Sequence, residues 1–204
     1  GGSSLSSGSG GIGGALSLFS NQTNSDKFKL SAEQTLGSFG IKRTKFKINY
    51  GNDKMSFMSG YIHRFAINDF DYIDITTLQN EQKKRENASI NQHGFIQEGK
   101  IKIKENSAID LKINFFSSWR QIPSIIGLPN NGEFQNDQHF RSLIGYKWFN
   151  DKWSHQIKLA FVNEYMSYQD TSHDISSEFK TNSFHANYKV NRYISSINAK
   201  VQLY

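Results

Sequence analysis

Apolar and polar positions alternate along most of this chain with the two-residue period of a β-strand. In one stretch Ile109, Leu111, Ile113, Phe115 and Trp119 share a face, and Asp110, Lys112, Asn114 and Ser118 share the other. In a second, Trp153, Ile157, Leu159, Phe161 and Tyr165 oppose Ser154, Gln156, Lys158 and Glu164, with His155 and Asn163 interrupting the apolar face near its ends. The pattern predicts strands near 26–37, 39–50, 54–65, 89–103, 107–118, 136–148, 153–165, 178–190 and 194–204. A tilted strand needs about 9–11 residues to cross a bilayer, and each of these is long enough. Aromatic residues at both ends of an apolar stripe match the girdles of membrane barrels. A soluble β-sandwich alternates in the same way.

The connections carry a second rhythm. Gly51-Asn52-Asp53, Lys104-Glu105-Asn106, Asn150-Asp151 and Asn191-Arg192-Tyr193 read as short polar turns. Between them fall long connections near 66–88, 119–135 and 166–177, with one tight exception at Gly37-Ser38-Phe39. Outer-membrane barrels sort their loops in this way, short on one side and long on the other. Both prolines, Pro123 and Pro129, lie in one long connection, where a missing backbone donor does no harm.

Composition sharpens the picture. Only 36% of the 204 residues are hydrophobic, yet 14% are aromatic, which suits strands with one oily and one wet face. No apolar run approaches the 18 or more residues of a membrane helix. The net charge of +6 raises the question of nucleic acid. The cations instead fall at strand alternates, as in Arg43, Lys45 and Lys47 or Lys100, Lys102 and Lys104, and read as a solvated strand face; no nucleic-acid partner is expected. Cysteine is absent, so thiol chemistry and disulfides are excluded.

Candidate chemistry is sparse. His63, His93, His139, His155, His173 and His185 are scattered singly, without the spacing of a zinc site, and no metal is expected. No nucleophile elbow or P-loop is present, so an enzyme is not expected, and no cofactor is implied. Asp69, Asp71 and Asp74 form a local cluster of oxygen donors that lacks the spacing of a calcium loop, and it reads as a solvated acidic loop. Loops on a rigid scaffold carry ligand contacts. Asp69, Tyr72, Trp119 and Arg120 are the candidate ligand-binding residues, through charge, stacking and hydrogen bonds. Trp119 as an interface anchor and Arg120 as a solvated charge stand as the alternative for those two.

Residues 1–18, GGSSLSSGSGGIGGALSL, are the most distinctive stretch. Taken alone they read equally as a flexible Gly/Ser linker. The spacing of Gly8, Gly10, Gly13 and Gly14, with the alternation Ile12, Gly14, Leu16 and Leu18, resembles the end of the plug domain in TonB-dependent outer-membrane receptors. Gly37-Ser38-Phe39-Gly40 resembles the first barrel hairpin of that family, and Asn68-Asp69-Phe70-Asp71-Tyr72 its N-D-F-x-Y stretch after the third strand. Arg120-Gln121-Ile122-Pro123, with Gln135-Asn136-Asp137 later, resembles an R-x-I-P loop followed by Q-x-D.

The resemblance implies an all-β chain. Residues 1–22 would be the carboxyl-terminal end of a plug, with its last strand, and 23–204 the amino-terminal part of a large antiparallel transmembrane β-barrel, so the sequence reads as an internal fragment. It further implies active uptake of a scarce small molecule, a ferric siderophore, another metal chelate or cobalamin, across the bacterial outer membrane. The implied partners are outer-membrane lipid, the ligand, and the TonB complex through plug residues upstream of Gly1. Some cobalamin receptors of the family order outer loops around calcium, which leaves that role open for the Asp69 cluster. Two other readings of the chain stand beside this one: a passive porin, which has no need of the glycine segment, and a soluble β-rich carbohydrate-binding module.

Overall fold

The computed structural model describes residues 27–130, 132–194 and 197–203, and among these the chain is all-β. Nine strands form one antiparallel sheet: β1 (Lys27–Leu36), β2 (Lys42–Gly51), β3 (Met55–Ala66), β6 (Ile90–Lys104), β7 (Ser107–Gln121), β8 (Phe134–Asn150), β9 (Trp153–Asp170), β10 (Ile175–Ile194) and β11 (Ile197–Leu203), in that spatial order. A separate hairpin, β4 (Asp71–Asp74) with β5 (Glu81–Lys84), lies inside the connection between β3 and β6. The large sheet is therefore a meander, each strand pairing with its neighbour in the chain apart from that one excursion. Among the described residues it does not close on itself, and β1 and β11 are its edges. The expected plug end, with Gly8, Gly10, Gly13 and Gly14, lies outside the described residues.

Three expectations are corrected: Asn191-Arg192-Tyr193, placed in a turn, continue β10 in register with β11, and two connections differ from the expectation. The connection placed at 166–177 is not long, because β9 runs to Asp170 and β10 starts at Ile175, leaving a turn at 171–174. The connection placed at 66–88 contains the β4–β5 hairpin. The turn expected at Gly37-Ser38-Phe39 is present, extended by two residues to Ile41. Phe39 and Gly40 both take positive φ, 59° and 69°, so the chain reverses within five residues, closed by Gly37 N–H on the Ile41 carbonyl at 2.9 Å. Glycine takes that conformation without strain, whereas Phe39 is held there by its contacts. The Phe39 carbonyl accepts from the N–H groups of Ile67 (3.1 Å) and Asn68 (3.0 Å), and its ring meets Phe70 edge-on at 6.0 Å. The first hairpin is thus stapled to the start of the long β3–β6 connection.

The register carries one apolar face across the sheet. Phe46, Tyr61, Phe95, Phe115 and Phe140 are successive cross-strand partners from β2 to β8. Tyr50, Phe57, Gly99, Leu111, Ile144 and Leu159 form a parallel row from β2 to β9. Toward the long connections the face turns polar, at Thr44, His63, His93, Ser117 and Gln138. Toward the short turns it ends in stacked rings: Trp148 lies 5.2 Å from Tyr146 and 4.8 Å from His155, and the Arg192 guanidinium sits 5.1 Å over Trp153. Among the described residues no second layer covers these side chains. Leu159 is 50% and Phe184 80% exposed, and Ala66 alone is a buried apolar residue among those described.

The opposite face is polar and laced with cross-strand ion pairs, Lys45–Glu33 at 3.0 Å, Lys112–Glu98 at 3.3 Å and Arg141–Glu164 at 2.7 Å. Exposed pairs such as Lys45–Glu33 and Arg141–Glu164 contribute only about 0–1 kcal/mol each, so they set the character of the face more than its stability, whereas Glu98 is buried. One apolar recess of about 590 Å³ interrupts it, lined by Met58, Ile62, Ile96 and Phe116 among others. Its floor rests on reciprocal pairing: Gly60 faces Ile96, and Ile62 faces Gly94. A Cβ on Gly60 would meet Ile96 Cγ2 at 2.9 Å, and one on Gly94 would meet Ile62 Cγ2 at 2.8 Å. Each isoleucine therefore lies across the space its glycine partner leaves.

Candidate functional site

The two long connections, 67–89 and 122–133, leave the sheet at the same end and are tied together by polar side chains. Asn87 takes φ 51°, and its Nδ2 donates to the carbonyls of Ile122 and Glu133, both at 2.8 Å. Ile122 N–H donates to the Glu133 carbonyl at 2.9 Å, closing the base of the second loop. Arg85 Nη2 donates to the Ser124 carbonyl at 2.6 Å, and Gln121 N–H to the Ser89 carbonyl at 2.9 Å. Asparagine, with a short amide and tolerance of positive φ, suits such a clasp. At the tip the loops touch. Gly127, at φ 87°, approaches Thr76 so closely that a Cβ would meet Thr76 Oγ1 at 2.5 Å.

Between the loops lies a polar cavity of about 370 Å³, lined on one side by Tyr72, Asp74 and the run Lys83-Lys84-Arg85-Glu86 and on the other by residues 124, 125 and 127–130. The hairpin supplies its charge. Asp74 is buried, 1% exposed, and accepts from Lys83 Nζ at 2.8 Å, from Thr76 N–H at 3.0 Å and from the Thr76 hydroxyl. Lys83 also lies 3.4 Å from Glu81, and Lys84 lies 3.5 Å from Asp69. The Lys83 ammonium, helped by Thr76, holds the Asp74 carboxyl down from an ordinary 3.8 to about 2. Asp74 in turn holds Lys83 above the ordinary ammonium value.

Because the folded-state value of Asp74 is depressed, its contribution to the hairpin is full above about pH 4. It is lost as the pH falls toward about 2. Hydrogen exchange of the 71–84 amides, corrected for intrinsic rate, should show protection falling across that window. Asp74→Asn should remove the pH dependence; an unchanged profile in that variant would reassign the effect to another group.

The structure separates the four candidate contacts. Tyr72 lines the cavity, and Asp69 borders it through Lys84. Trp119 and Arg120 are adjacent on β7 and so point to opposite faces. Trp119 belongs to the apolar face and packs at 6.3 Å against Phe134. Arg120 is on the polar face, 3.5 Å from Asp137, whose carboxylate also accepts from Gln135 Nε2 at 2.7 Å. Neither lines the cavity. The carboxylates of Asp69 and Asp74 are engaged by separate lysines, and no group of three or more acidic or histidine side chains converges on a metal-sized site among the described residues. Lys83, Lys84, Arg85 and Asn87 were missed by sequence reasoning. Their signal, three successive cations beside a turn-forming Asn in a long connection, reads as ordinary loop solvation until the second loop is seen against it. In chemical terms the cavity can accept an anionic or hydrogen-bonding group, with a phenol, three cations and the carboxylates of Asp74 and Glu86 on one wall and the second loop on the other. Comparison with protein-family models gives no match, and none of the curated proteins matches the sequence.

Proposed function

We propose that this protein takes up a scarce small molecule of the metal-chelate or cobalamin class across the bacterial outer membrane. In this reading the nine-stranded sheet is barrel wall, the long connections face outward and meet the ligand, and transport is driven through TonB. The observation that carries the reading is the uncovered apolar face, continuous over the sheet and bounded by polar and ring-stacked rows. A soluble sandwich buries such a face under a second sheet, whereas a barrel presents it to lipid. The cavity between the outer loops gives an anionic ligand a place to bind before transport.

Deleting the gene should abolish growth on the cognate chelate as sole metal source, and a protonophore should abolish uptake in the complemented strain. Uptake that persists with the protonophore points to a passive pore and overturns the TonB-driven reading. A chain that stays monodisperse in buffer without detergent overturns the membrane assignment.

The topology has its own measurement. Leu78 is fully exposed in the first long connection, and Lys152 is exposed in a short turn at the other end of the sheet. With cysteine at each in turn, a membrane-impermeant thiol reagent on intact cells should label Leu78→Cys and leave Lys152→Cys unlabelled. The reverse pattern would invert the orientation.

A further inference from the structure

We propose that His63 and His93 form a cross-strand chelate for a divalent transition-metal ion of the Zn2+ or Cu2+ class. The two residues are direct partners on β3 and β6, and their rings stack with centroids 4.4 Å apart and planes within 9°. Each ring is held by a side chain from the opposite strand. His63 Nε2 is 2.9 Å from Asn91 Oδ1, and His93 Nδ1 is 2.9 Å from the Tyr61 hydroxyl. With those nitrogens carrying the ring protons, the other nitrogen of each imidazole presents a lone pair, and neither has a hydrogen-bond partner among the described residues. A metal-binding histidine ordinarily donates from its second nitrogen to a polar neighbour, which sets the tautomer.

The surroundings suit a cation despite the chain's net charge of +6. The flanking residues of the same row, Thr44 on β2 and Ser117 on β7, are neutral hydroxyls, and no lysine or arginine stands beside the pair in that row. Both histidines are half-buried at the polar edge of the apolar face, so water can fill the remaining coordination positions. Zn–N bonds of about 2.0–2.1 Å place two ligating nitrogens about 3.3 Å apart with the ion in the plane of each ring, so the rings, now parallel, must turn out of their stack about Cβ–Cγ to bind it. Imidazole ligation without carboxylates favours Cu2+ and Zn2+ over Mg2+ or Ca2+, with Cu2+ the tighter. The site is separate from the loop cavity and independent of the uptake function.

The full chain in detergent, titrated with Cu2+, should bind one ion with an electron paramagnetic resonance spectrum showing two coupled nitrogens. His63→Gln and His93→Gln should each weaken binding at least tenfold, and His155→Gln should not. Without any substitution, Zn2+ should protect His63 and His93, but not His155 or His185, from diethyl pyrocarbonate as mapped by mass spectrometry. Equal modification of His63 and His93 with and without Zn2+ overturns the proposal. So does Cu2+ affinity unchanged in both His63→Gln and His93→Gln.

Discussion

On the proposed reading of the sheet as barrel wall, Leu159→Arg should sharply reduce the amount of protein assembled in the outer membrane, and Ala160→Arg much less. The two positions are adjacent on β9 and so lie on opposite faces. Leu159 is half exposed on the apolar face beside Ile144, with Ile157 and Phe161 two residues away along the strand, and Ala160 is on the polar face opposite Leu143 and His185. An arginine on the lipid-facing midplane of a barrel costs about 2–4 kcal/mol, whereas on the inner wall it mainly alters selectivity. Heat-modifiable mobility of the assembled species on gels measures the difference. Equal losses would remove the assignment of the faces to lipid and lumen. The Leu143 and His185 neighbours give Ala160→Arg some steric cost of its own, so Ala160→Gln belongs beside it as a control of similar reach without charge.

Arg85→Ala should weaken binding of an anionic ligand tenfold or more. Arg85 lines the loop cavity and reaches across it to the Ser124 carbonyl at 2.6 Å, so it both supplies charge and fixes the opposite wall. A hydrogen bond to a charged group contributes roughly 1.5–3 kcal/mol, which sets the size of the loss. Arg85→Lys keeps the charge without the planar fork and should recover part of the affinity. Trp119→Ala should leave it unchanged, because Trp119 lies on the other face against Phe134. Titration of the ligand identified by uptake into purified protein checks all three, and a large effect at Trp119 with none at Arg85 would move the site away from the loop cavity.

The strands were legible because a two-faced sheet writes its period into the sequence, and β7 and β9 show it without interruption over their apolar halves. Legibility fails where that reason disappears. The ends of β9 and β10, Tyr165–Asp170 and Ile175–Lys180, extend beyond the apolar band. There Ser167, Gln169, Ser176 and Ser177 read as loop, although they continue the ladder. The β4–β5 hairpin is hidden for a similar reason. Glu81-Gln82-Lys83-Lys84 has no apolar alternation, and its order comes from Asp74 and Lys83 meeting across the turn. The candidate site was half legible. Loop position pointed to Asp69 and Tyr72, but alternation along β7 sends Trp119 and Arg120 apart, and the clasp at Asn87 exists only once two loops distant in sequence are side by side. The His63–His93 pair is the same case in the ladder: nothing in either segment reveals the register that joins them.

That register has to be chosen without help from a turn. In a hairpin the loop fixes which residues face each other, but β3 and β6 are joined through residues 67–89, long enough to permit several alignments. The reciprocal pairs of Gly60 with Ile96 and Ile62 with Gly94 discriminate among them. A slip of two residues one way sets Gly60 against Gly94 and leaves a void; the same slip the other way sets Ile62 against Ile96 with no space to receive either side chain. Both alternatives keep apolar faces apolar, so alternation alone would not reject them. Two glycines and two isoleucines thus act as a key for the one crossing whose alignment sets where Asn87 and Arg85 reach the second loop.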